Sequence, residues 1–182
     1  MPADVFAARV AGFLNRVYAA CSWLSGALLI ALCLLVAFGI VARLFGIYGG
    51  GATDVAGYVM ASATFLALAP AFRAGAHIYV SFLTELLPPP HRRRLSLCAH
   101  AAMFFAAALL AFYLSRLAFF SWLLESRSEG ADAMPLWIPQ TPVAFGALLF
   151  AVAVLHGGIE TARAGNKTSD AQNDSGGGTS RP

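Results

Sequence analysis

Charge is the scarcest resource in this sequence. Only 12% of its 182 residues are charged, about half the roughly 25% found in soluble domains, too few to cover a water-facing surface. Cysteine is also scarce. Cys21, Cys33 and Cys98 are an odd set without paired spacing, each in or beside an apolar run. That argues against a disulfide framework and for free thiols. No phosphate-binding glycine loop, zinc motif or nucleophile elbow is present, and Gly49 to Gly51 lack the helix-and-lysine context that phosphate binding needs. The sequence therefore offers no catalytic residue, no metal ligand set and no cofactor of its own, and it reads as a non-enzyme. Nor does it contain an internal repeat or the inverted pair of broken helices that marks many self-sufficient carriers.

What is abundant is apolar. Hydrophobic residues make up 59% of the chain, with 14 Phe and 17 Gly, and the mean hydropathy is +0.70. A pI near 9.0 would suit a nucleic-acid partner. The basic residues, however, cluster beside apolar runs, as membrane orientation requires.

A bilayer span needs about 20 apolar residues, because its hydrocarbon core is about 30 Å thick and a helix rises about 1.5 Å per residue. Four runs qualify: Ser22 to Ala42, Val55 to Phe72, Leu95 to Leu124 (its span set at 97–122) and Ile138 to Ile159. All should be helical, since lipid offers no partner to an open backbone. The expected fold is all-α, with a four-helix membrane domain over 1–164 and a disordered tail over 165–182 rich in Gly, Ser, Asn and Asp. The third run exceeds the bilayer's need and should tilt or project. The first run is preceded by Arg9 and Arg16, as a signal peptide would be. Its apolar stretch is longer than the 7 to 15 residues or so of a signal core, and it ends at Arg43 without a clear cleavage site. It reads as an uncleaved anchor.

Orientation follows from Lys and Arg. Arg9, Arg16, Arg73, Arg92, Arg93, Arg94, Arg163, Lys167 and Arg181 fall on one side, against Arg43 and Arg127 on the other with Asp54, Glu125, Glu129 and Asp132. The positive-inside rule puts both termini and the middle loop in the cytoplasm. Residues Val5 to Tyr18 place Phe6, Val10, Phe13, Leu14 and Val17 on one helical face, so they either lie in the membrane interface or simply extend the first helix. Ile78 to Leu87, ended by Pro88, Pro89 and Pro90, is too short to span and should lie along the surface. Pro70 should kink or end the second helix.

Several residues carry two readings. His100 and His156, at similar depth on helices three and four, could bind a haem between them; otherwise they are interfacial hydrogen-bonding groups. Arg116, the one charge deep inside a run, either snorkels to the outer surface or forms a buried ion pair with Asp54 or Glu125. Small residues recur at four-residue spacing, as Ala63, Ala67 and Ala71 on helix two and Ala107, Ala111 and Ser115 on helix three. Such stripes let helix backbones approach closely in lipid, within the chain or against a second membrane protein. A stand-alone channel would need more polar lining than Ser62, Thr64, Ser115 and Arg116 supply.

Arg73-Ala-Gly75-Ala-His77-Ile-Tyr-Val80 resembles the R-x-G-x-H-I-x-V signature of the small membrane subunit of TRAP transporters, the DctQ-type family. Asp54 resembles that family's acid at the start of helix two, here Asp in place of the usual Glu. The Trp often found before it is missing, with Gly51 nearby. Pro135-Leu-Trp137-Ile-Pro139, followed by Pro142 and Gly146, resembles the proline-rich start of helix four, and the likeness covers roughly residues 12 to 162.

The resemblance implies a part in tripartite secondary uptake of organic acids, such as C4-dicarboxylates or sugar acids, across the bacterial inner membrane. A periplasmic binding protein delivers the acid, and a large polytopic subunit carries it with the coupling sodium ions. The small subunit would brace the large one and help dock the binding protein. Arg73 would then mark the cytoplasmic border and meet lipid phosphate, Gly75 would permit a turn with positive φ, and His77 would hold the bend. Asp54, Glu125, Glu129 and Asp132 become candidate docking residues, against the plainer reading that they are solvated loop charges.

Overall fold

The computed structural model describes residues 2–46, 51–85, 89–129 and 133–176. Asp132 and residues 86–88 and 177–182 lie outside the described residues. So do the side chains of His77, His91, Arg92, Arg93, Arg94, Arg163 and Lys167. Four helices make up the fold: α1 (Pro2–Leu44), α2 (Ala52–Glu85), α3 (Pro89–Leu123) and α4 (Trp137–Gly176). Each contains a stretch long and apolar enough to cross a membrane: Ala11–Leu44, Thr53–Gly75, Leu97–Leu123 and Trp137–Glu160. No strand occurs among the described residues. The one bridge, Arg127 to Pro135, closes the α3–α4 turn.

Helices end where the chain supplies a terminator. Gly46, at φ 71°, stops α1 and donates its N–H to the Arg43 carbonyl at 3.1 Å. Gly51, at φ 96°, starts α2, its carbonyl accepting the N–H groups of Asp54 and Val55 at 3.0 Å each. A side chain would strain both positions. Asp54 lies in the first turn of α2, where a carboxylate meets the positive end of the helix dipole. Pro139 falls in the first turn of α4, where its missing N–H removes no helical bond.

The helices run further than the sequence pattern suggests. The segment before the first span is continuous with α1, so the extension reading describes its backbone and no separate interfacial element interrupts it. Pro70 does not end α2, which continues to Glu85. It passes through Gly75 as helix, so the expected turn is absent and positive φ falls instead on Gly46 and Gly51. The surface stretch expected from Ile78 is continuous with α2 as far as Glu85. Proline is tolerated here because neighbouring groups in a membrane helix can re-satisfy the freed carbonyl. Helix α4 likewise runs to Gly176, past Gly165 where the polar tail begins.

Laterally the helices form an open row, α1 beside α2, α2 beside α4, and α4 beside α3. The core lies where α2 meets its neighbours, at Ala63, Leu66 and Ala69, and on α4 at Ala147, Ala151, Ala153 and Val154. Nearly all are small, so packing proceeds by backbone approach rather than by filling with large side chains. Gly146 marks the tightest point. A Cβ there would stand 2.5 Å from the Phe65 carbonyl carbon and oxygen and 2.9 Å from the Leu66 nitrogen. Large side chains point outward on the flanking helices, among them Trp23, Leu34 and Phe38 of α1 and Phe105, Phe112 and Trp122 of α3.

Candidate functional site

Both membrane-level ends of the row are built from specific polar contacts. At the end nearer the termini, the Arg73 guanidinium of α2 donates through Nη1 to Glu160 Oε2 of α4 at 2.8 Å. One turn earlier on α4, His156 Nε2 lies 3.5 Å from Glu160 Oε1. Tyr18 of α1, 5% exposed, completes the cluster, its hydroxyl within electrostatic reach of both Arg73 and Glu160. Below it is an apolar plug of Tyr18, Ala69 and Ala153, backed by Leu14, Phe72 and Leu149. Phe72 meets Phe150 edge to face at a centroid distance of 5.8 Å.

The cluster draws on three helices for local reasons. Gly146, Phe150, Ala153 and Gly157 recur at helical spacing and form the α4 stripe toward α2, with Gly157 against the Phe72 ring. Glu160 and His156 lie beside that stripe, so they meet Arg73. Arg73 and Glu160 side chains are 26% and 49% exposed, so solvent screens the pair partly. A charge-assisted hydrogen bond of this length contributes about 1.5–3 kcal/mol when desolvated and less here. Its effect is to pin α2 to α4. Sequence reasoning had named Arg73 without Glu160, although an acid one residue past the fourth apolar run was the available signal.

The two histidines have different neighbours on α4. Gly158 faces His100 of α3, whose Cβ lies 3.6 Å from a Cβ built on Gly158. His156 sits about 200° round α4 from Gly158 and turns to Glu160. His156 is thus turned away from the face of α4 that meets His100. Among the described residues, no group of three His, Cys, Asp or Glu is placed to hold a metal ion. Cys21 is buried, Cys33 and Cys98 are exposed, and all three are free thiols.

At the opposite end, the α3–α4 turn is a small hairpin. Ser126 donates its N–H to the Ser121 carbonyl at 3.0 Å and Glu125 to Trp122 at 3.3 Å, a Schellman closure of α3. It forces Glu125, with φ 48°, into the left-handed conformation usually left to glycine. Beyond it, Leu136 N–H bonds the Ser126 carbonyl at 3.0 Å and Ser128 N–H bonds that of Met134 at 2.8 Å. The Tyr58 and Ser128 hydroxyls share a hydrogen bond of 2.9 Å and so tie this hairpin to α2. Trp122, Leu123, Glu125, Arg127, Pro135 and Trp137 line a cleft of about 470 Å³ beside it. Asp54 and Glu129 are exposed at this same end, as is Glu125.

Between the two ends, Ser25 of α1 donates to the Ala63 carbonyl of α2 at 2.9 Å, with both residues buried. Of the expected α2 stripe only Ala63 is fully enclosed. Ala67 and Ala71 line a shallow apolar groove of about 340 Å³ beside α1. On α3, Ala107 and Ala111 are buried and Ser115 half-buried, so that stripe is used within the chain. Arg116 is exposed on the far side of α3, its guanidinium 5.3 Å from the Phe120 ring centroid. It forms no ion pair with Asp54 or Glu125 among the described residues.

Residues 32–164 match the family described as tripartite ATP-independent periplasmic transporters, DctQ component. That stretch holds Arg73, Gly146, His156 and Glu160, and leaves Tyr18 and Ser25 outside. No curated protein and no solved structure matches the chain. The matched region is well over half of the sequence and contains residues 32–44 at the end of α1, all of α2 and α3, and the membrane part of α4, so the chain belongs to the DctQ component family of the tripartite ATP-independent periplasmic transporters.

Proposed function

We propose that this small subunit braces the large transport subunit of its system and helps to seat the periplasmic binding protein, taking no part in the substrate chemistry itself. The observation that carries the reading is the open row of helices. A chain that packs its helices through Ala and Gly, and leaves large apolar side chains such as Trp23, Leu34 and Phe38 outward on α1, has a broad flank to offer another membrane protein. The Arg73–Glu160 pair ties α2 to α4 within that row. The imported substrate is an organic acid, a C4-dicarboxylate or a sugar acid, and the coupling sodium ions belong to the large subunit. Both termini face the cytoplasm on the positive-inside argument, which sets the α3–α4 hairpin on the periplasmic side. Asp54, Glu125 and Glu129 are then available for docking.

Co-purification tests the bracing role. The tagged chain, co-expressed with its genomic neighbours and extracted in mild detergent, should retain a large polytopic partner. Purification as a stable lone subunit would remove the role.

A further inference from the structure

We propose that Arg116 and the aromatic rings around it form a binding site for the phosphate of an anionic phospholipid, in the leaflet at the Leu123 end of α3. Arg116 lies about 180° round α3 from Ala107 and about 140° from both Ala111 and Ser121, the residues buried on that helix. It therefore points away from the rest of the chain, in a stripe with exposed Phe112, Tyr113, Phe119 and Phe120. A guanidinium there faces whatever covers α3.

The depth of the side chain selects the occupant. The Arg116 Cζ lies 5.3 Å from the ring centroid of Phe120, the residue one turn on toward the C-terminus. The Arg116 Cα lies seven residues, about 10 Å, before the end of α3 at Leu123. The apolar span Leu97–Leu123 has 27 residues, about 10 Å more than a hydrocarbon core of about 30 Å requires. Placing that excess at the Leu123 end brings the guanidinium to headgroup level. Phe119 packs at 6.0 Å from Phe120 and 6.2 Å from Trp122, forming the ring cluster expected where a helix leaves the membrane. Arg binds phosphate in a two-donor fork. A phosphatidylglycerol phosphate has no counter-cation of its own, whereas that of phosphatidylcholine is already paired with choline.

The test uses the full chain in vesicles, with Trp23→Phe and Trp137→Phe leaving Trp122 as the sole tryptophan, in a background whose thermal transition matches the parent's. Quenching of Trp122 by phosphatidylglycerol brominated near the headgroup should exceed that by brominated phosphatidylcholine, with about a fivefold preference in relative binding. Arg116→Gln should abolish the preference, and Arg116→Lys should keep most of it. Equal quenching by the two lipids in the parent, or an unchanged preference in Arg116→Gln, would overturn the site. Protection of Trp122 from both lipids would also overturn it, giving this face of α3 to a protein contact.

Discussion

Arg73 shows how a residue's meaning depends on its partner. As a lone basic residue at the end of an apolar run it reads as a membrane-border marker. Paired with Glu160 at 2.8 Å, it becomes a tie between α2 and α4. Arg73→Glu should therefore destabilise the chain by about 1 kcal/mol, and Glu160→Arg in the same chain should restore much of the loss. Thermal unfolding of the single and double variants in detergent measures the coupling; independent, additive losses would refute it. His77 lies in the same segment, Arg73 to Val80, that resembles the family signature. We expect His77→Ala to weaken assembly with the large subunit, and normal assembly with normal uptake would exclude that role. Glu125 gives a prediction of opposite sign. Its φ of 48° suits glycine, so Glu125→Gly should raise stability by about 0.5 kcal/mol, the relief of strain being partly offset by the greater freedom of the unfolded chain. The same substitution removes a candidate docking charge. A stabilised chain with impaired uptake would separate docking from folding.

At the scale of elements, the α2–α4 contact depends on backbone proximity. Gly146 has backbone, not a flexible side chain, where its Cβ would be. Gly146→Ala must push the helices apart and should cost about 3 kcal/mol, at the high end for overpacking. Gly157→Ala is the control. Its Cβ would meet only the Phe72 ring at 3.4 Å, a side chain able to yield, so the loss should be much smaller. Equal losses in a chemical unfolding series would show that backbone approach at Gly146 is not what holds the two helices. The four-residue spacing of small residues was legible in the sequence on α2 and α3. Which stripe each helix uses was not. Ala107 and Ala111 are consumed inside the chain, whereas Ala67 and Ala71 line an open groove. The spacing is the same in both cases because it reports a smooth helix surface, not the identity of the neighbour.

For the whole molecule, the open order α1–α2–α4–α3 leaves the outer helices with little internal support. A four-helix chain of this form should gain stability from its partner by mass action. The co-expressed complex is expected to unfold at a higher temperature than the isolated subunit, and identical transitions would argue against bracing. Reporter fusions at residue 182 and in the 124–136 turn test orientation. Cytoplasmic activity at the first and periplasmic activity at the second are expected, and the reverse would invert every assignment of docking charges.

The sequence by itself determined the number of spans, their helical form and the family. The first two follow from local rules: a backbone in lipid must bond within its own segment, and about 20 apolar residues cross the core; the family rests on the resemblance of the Arg73 to Val80 segment to its signature. Sequence reasoning put the positive-φ turn on Gly75, whereas the chain has it at Gly46 and Gly51, because a helix can continue through a glycine wherever packing holds it. The lateral order of the helices, the Arg73–Glu160 pair, the different neighbours of His100 and His156 and the close contact at Gly146 were decided only by the tertiary structure. In water, a hydrophobic stripe announces which face is buried. In a membrane, lipid is as apolar as a neighbouring helix, so hydropathy cannot tell the two apart, and residues 87 positions apart in the chain meet only once the helices have been set side by side.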